Sequence, residues 1–108
     1  MRFIIFVIDS SGNTANTDEM TTIDQFNEKL QKNGHWITAG GINGAEKSFL
    51  IDNREGRSAT VQGSLVTGNE NYSGFWIIEV ESEEIAIQLA KEGSLACNRK
   101  VELRPYLR

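Results

Sequence analysis

The chain opens on an apolar run, Phe3-Ile4-Ile5-Phe6-Val7-Ile8, that is hydrophobic on both alternating faces. Such a run predicts a strand over residues 2–8 covered from both sides. After a loop at Ser10-Ser11-Gly12-Asn13, Met20, Ile23, Phe26 and Leu30 recur at helical spacing. Asp18 and Glu19 stand at the start of that segment and Lys29 and Lys32 at its end, the charge order that complements a helix dipole. With Asn33-Gly34 as a left-handed stop, the pattern predicts a helix over 18–33. His35-Trp36-Ile37-Thr38-Ala39 reads as a short strand closed by Gly40-Gly41, a pair suited to a sharp turn or a close backbone approach.

Two more short strands, about 47–51 and 58–63, flank Asp52-Asn53-Arg54-Glu55-Gly56, whose composition predicts a hairpin turn. Phe75-Trp76-Ile77-Ile78-Glu79-Val80 is the next strong strand. Ser82 is a good N-cap, Glu83 and Glu84 fill a first helical turn, and Ile85, Leu89, Ala86 and Ala90 form an apolar stripe that Gly93 is expected to end. Val101-Glu102-Leu103-Arg104 is the last strand, with Pro105 as its stop.

This order, β-α-β, hairpin, β-α-β, with two right-handed crossovers on one sheet, predicts an α+β ferredoxin-like sandwich with an antiparallel sheet and an added hairpin. Both helices should cover one face of the sheet. The other face keeps apolar side chains, since the first strand is apolar on both sides and residues 75–80 offer Phe75 and Ile77 opposite Trp76, Ile78 and Val80. A homodimer in which two sheets pack together is the simplest cover for it.

Composition narrows the class. The 108 residues, 39% of them hydrophobic, suit a single domain, 1–108, with a core that needs neither disulfide nor metal. The one cysteine, Cys97, excludes an internal disulfide framework and any Cys-based zinc site, and it points to a cytoplasmic location. No apolar run reaches the length of a membrane span. A net charge of −4 without a Lys/Arg cluster argues against a nucleic-acid partner.

Several features taken together resemble the YCII-related (DGPF) family: the apolar first strand ending in Asp9, the following helix, the Ala39-Gly40-Gly41 turn and the hairpin. To these are added the Gly74-Phe75-Trp76-Ile77-Ile78-Glu79-Val80 strand, the second helix and the Val101-Glu102-Leu103-Arg104-Pro105 terminus. The resemblance covers nearly the whole chain and implies the dimeric α/β barrel fold. The family's Asp-Gly-Pro-Phe signature falls on Gln62-Gly63-Ser64-Leu65, where only the glycine matches. One branch of the family carries a proposed acid/base pair, an Asp ending the first strand and a His early in the first helix. Asp9 matches the Asp, whereas the His position falls on Ile23.

The only histidine, His35, is no substitute. In this topology it starts a strand parallel to the one that Asp9 ends, which separates the two by roughly 15 Å. Asp9 reads either as a cap of the turn after the first strand or as a cleft carboxylate; it shares its sheet edge with Gly40, Gly41, Tyr72 and Ser73, and an opening there would be lined by a carboxylate, a phenol and close backbone, a small-molecule pocket. Trp36 and Trp76 read as core or interface aromatics. Cys97 reads as a passive buried thiol, since only Arg99 and Lys100 stand near it in sequence. Arg104 reads as an end-of-strand ion pair, His35 as a solvent-edge residue, and the Glu79, Glu81, Glu83, Glu84 run as a solvated helix start, not a metal site.

Three functions follow. The first is a small-molecule-binding or regulatory dimer with no cofactor and no metal. The second is an enzyme like the dehydrochlorinases and isomerases of dimeric α/β barrel type, acting on an oxygenated aromatic or lactone substrate with Asp9 as base and Tyr72 as acid. The third is a purely structural module.

Overall fold

The computed structural model describes residues 1–10 and 17–108. Among these residues, six strands and two helices follow in the order β1 (Arg2–Ser10), α1 (Thr17–Lys32), β2 (Trp36–Gly41), β3 (Phe49–Asp52), β4 (Ala59–Gln62), β5 (Glu70–Glu79), α2 (Glu83–Cys97) and β6 (Lys100–Pro105). Single 3-10 turns lie at Ala45–Lys47 and Arg54–Gly56. The loop expected at Ser10-Ser11-Gly12-Asn13 falls, after Ser10, outside the described residues.

Strands β2-β5-β1-β6 form one four-stranded sheet in that order, with every neighbouring pair antiparallel. This is the ferredoxin-like arrangement expected from the periodicity. Among the described residues, strands β3 and β4 pair only with each other, as a separate hairpin inserted between β2 and β5.

Both helices lie on one face of the sheet because the apolar alternation demands it. Phe3 and Ile5 of β1 and Trp76 and Ile78 of β5 point inward against Phe26 and Leu30 of α1 and Ala86, Leu89 and Ala90 of α2, in one buried core. Helix α1 stops where Gly34 takes φ +77°, a left-handed conformation that glycine adopts without steric cost. The Ser82 hydroxyl caps α2 by accepting from the Ile85 N–H at 3.2 Å.

Three boundaries differ from the sequence pattern. Helix α2 does not end at Gly93 but runs on to Cys97, and Asn98 closes it in the left-handed region with φ 52°. Gly93 serves packing instead: a Cβ there would lie 3.2 Å from the Phe26 ring and 3.3 Å from the Trp76 ring. Pro105 belongs to β6, opposite Phe3. Strand β6 is a sheet edge, where a missing N–H is tolerated. Strand β5 starts at Glu70, because Tyr72, Asn71 and Glu70 find partners in Ile8, Asp9 and Ser10. Its polar beginning carries no apolar alternation that would reveal it.

Candidate functional site

At the Asp9 end of the sheet, between its inner face and α1, lies a cavity of about 420 Å³. Met20, Ile23 and Asn27 line it from α1, spaced so that one helix face turns toward the sheet. Trp36 and Ala39 of β2 and Val7 of β1 supply further apolar wall. Trp76 forms part of the wall and is held in place: its Nε1–H donates to Asn27 Oδ1 at 2.7 Å and its ring meets Phe26 edge-on at 5.2 Å.

One end of the cavity is ionic. Asp9, where β1 leaves the core, and Arg99, just before β6, meet because β1 and β6 are antiparallel and Ile8 pairs with Lys100. Arg99 Nε donates to Asp9 Oδ1 at 2.9 Å, and Arg99 Nη1 donates to Glu19 Oε2 at 2.7 Å and to the Cys97 carbonyl at 2.6 Å. The Arg99 side chain is 4% exposed, that of Asp9 21% and that of Glu19 15%. Burial works against the Arg99 charge, but the hydrogen bonds to Glu19 and Asp9 outweigh it and hold the guanidinium pKa above its ordinary value. Two carboxylates on one guanidinium leave the cluster a formal charge of −1. The Cys97 thiol beside it is buried, and desolvation pushes its pKa up despite the opposing pull of Arg99. It is a passive thiol.

Of the residues expected at the site, Asp9, Gly40, Gly41 and Ser73 do line this cavity together. Tyr72 does not. It lies on the outer face of the sheet, stacked on Phe6 at 4.4 Å, with its hydroxyl donating to the Glu102 carboxylate at 3.1 Å. The cause is an irregularity in the β1–β5 ladder: Val7 pairs with Gly74 and Ile8 with Tyr72, so Ser73 is an extra residue. One bulged residue reverses the alternation beyond it, and Tyr72 turns outward where strict alternation from Trp76 would turn it inward. There it lines a second cavity of about 570 Å³ between the sheet and the root of the hairpin.

His35 is half-buried and not at the solvent edge. Its backbone carbonyl accepts from the Glu79 N–H at 2.9 Å, at the end of β1 remote from Asp9, and its Nδ1 is buried with no partner among the described residues. Arg104 pairs with Glu102 on the outer face, as an ion pair of the last strand. Among the described residues no group of three or more His, Cys, Asp or Glu side chains could hold a metal ion, and no helix is long and apolar enough to cross a membrane.

Arg99 and Glu19 are the site residues that sequence reasoning missed. In the sequence Arg99 reads only as a neighbour of Cys97, and Glu19 only as a first-turn acid. The available signal was the antiparallel pairing of the first and last strands, which sets Arg99 level with Asp9.

The YCII-related domain matches the chain over residues 1–108. The chain belongs to the YCII-related family. No curated protein matches it. Within this YCII-related domain, Ile23 stands in the cavity wall at the position that the resemblance gives to the histidine of the family's acid/base pair. Ile23 makes the cavity wall apolar at that point.

Proposed function

We propose that this YCII-related protein binds a small molecule in the inner cavity, as a ligand-binding or regulatory homodimer that does not catalyse through the family's His–Asp pair. The observation that carries this reading is a mostly apolar cavity of about 420 Å³ with a single ionic end at Asp9, Arg99 and Glu19. A concave apolar site with a few placed polar groups is what holds small organic ligands. Isoleucine at position 23 offers no proton, and Asp9 is tied to Arg99. The enzymatic alternative, a dehydrochlorinase or isomerase of oxygenated aromatics or lactones, needs an acid within reach of the same substrate as Asp9. Tyr72 lies across the sheet from it.

The dimer belongs to the same proposal. Ile4, Phe6, Ile8, Phe75 and Ile77 share the outer face of the sheet, and a second copy packed sheet to sheet, as in a dimeric α/β barrel, would cover them. The compartment in this reading is the cytoplasm, since one buried cysteine calls for no oxidising environment. The net charge of −4 speaks against nucleic acid and anionic membrane surfaces as partners.

Ligand-observed NMR against a library of small aromatic compounds tests the binding role. Hits should compete with one another, and Met20→Trp, which fills the cavity from a half-exposed helix position, should lose them. A library with no hits, or hits undiminished in Met20→Trp, removes the reading.

A further inference from the structure

The ionic end of the cavity constrains the chemistry of its ligand. Arg99 already meets two carboxylates, from Asp9 and from Glu19, and the cluster carries a formal charge of −1. An anionic ligand would have to join two carboxylates around one guanidinium or displace one of them. Either way a carboxylate is left poorly compensated in a partly buried site, so the gain cancels. The N-terminus of α1 adds about half a positive charge at most, and Asp18 and Glu19 already occupy its first turn. A cationic ligand would lose the hydration of its ammonium among Val7, Met20, Ile23, Trp36 and Trp76, and Asp9 shares its charge with Arg99, so it offers a hydrogen-bond acceptor there and not a free counter-ion.

One polar valence does point to a partner. Asp9 Oδ1 accepts from Arg99 Nε, and no donor among the described residues meets Asp9 Oδ2. The side chain is 21% exposed and lines the cavity. Arg99 fixes the carboxylate in place, so its second oxygen is a preorganised acceptor at the edge of an apolar chamber walled by two indole rings.

We infer that the cavity selects an uncharged, flat, largely apolar molecule bearing an O–H or N–H donor, bound through Asp9 Oδ2, and discriminates against carboxylates. The inference rests on the small-molecule reading above. Arg99 is a positioning residue in it, and Glu19 sets the charge selectivity.

Three probes of one shape separate the possibilities: indole, which has the donor; N-methylindole, which lacks it; and indole-3-carboxylate, which adds the charge. Binding is read from the indole N–H signals of Trp36 and Trp76 in nitrogen-edited NMR spectra. Indole should bind roughly tenfold or more tighter than N-methylindole, the worth of one hydrogen bond to a charged acceptor. Indole-3-carboxylate should bind roughly tenfold or more weaker than indole, and Glu19→Gln, which brings the cluster to neutrality, should close most of that gap. Equal binding of indole and N-methylindole overturns the inference, as does wild-type binding of indole-3-carboxylate on a par with indole. If none of the three moves either signal, the small-molecule reading itself fails. The ranking on the wild-type protein stands as a test even if Glu19→Gln does not fold.

Discussion

Among the described residues Arg99 is the one charged residue that is buried, and it reaches that position only in company. A guanidinium with about one-twentieth of its side chain exposed would be costly alone, and the carboxylates of Asp9 and Glu19 would be costly without it. Arg99→Met should therefore destabilise the protein by about 3 kcal/mol, measured from chemical denaturation midpoints. Combining it with Asp9→Asn and Glu19→Gln should restore most of that loss, since the orphaned charges go too. A triple variant no more stable than Arg99→Met would show that the charges are not what the single substitution exposes. At this scale Asp9 was legible, because an acid that ends a run of six apolar residues marks the place where a strand leaves the core. Arg99 was not, because neither periodicity nor motif separates it from its neighbours Asn98 and Lys100.

Among the elements, the β3–β4 hairpin is the most self-contained, and its turn carries its own electrostatics. The Asp52 carboxylate accepts from Arg54 Nε at 3.0 Å, from Arg54 Nη2 at 2.7 Å and from the Arg54 backbone N–H at 3.1 Å. The Arg54 side chain first, and then its backbone N–H, hold the Asp52 pKa below its ordinary value of 3.8, against a small opposing effect of burial. A depressed pKa in the formed turn means that ionised Asp52 favours the turn above pH 3.8, and that this support is lost as pH falls through the lowered value. The Arg54 amide resonance should therefore move toward its unstructured position only in strongly acid solution, and Asp52→Asn should abolish that titration. A midpoint at or above 3.8 would contradict the depressed pKa. The turn was legible from its Asp, Asn and Gly content. The end of α2 was not: Gly93 looks like a stop, yet two aromatic rings from elsewhere in the chain need the space it leaves.

At the scale of the whole molecule, the outer face of the sheet sets Ile4 opposite Ile77 and Phe6 opposite Phe75 on the side away from both helices. Sedimentation at micromolar concentration should give twice the 12.1 kDa of one chain. Ile77→Glu, a charge in the middle of that face, should yield a monomer with unchanged helical circular dichroism. A wild-type monomer would rule out the dimer. The order of the elements, the ferredoxin-like sheet and the choice of buried face were all determined by the sequence alone, because apolar periodicity is local and marks which side of each element must leave water. Tertiary structure decided the site. A period of two assigns faces but not the offset between paired strands, so the extra Ser73, invisible in the pattern, sends Tyr72 to the other side of the sheet. The Arg99 cluster joins residues 90 and 80 positions apart, and what brings such distant charges together is the closure of the sheet around a common core, a property of the folded chain and of no single segment in it.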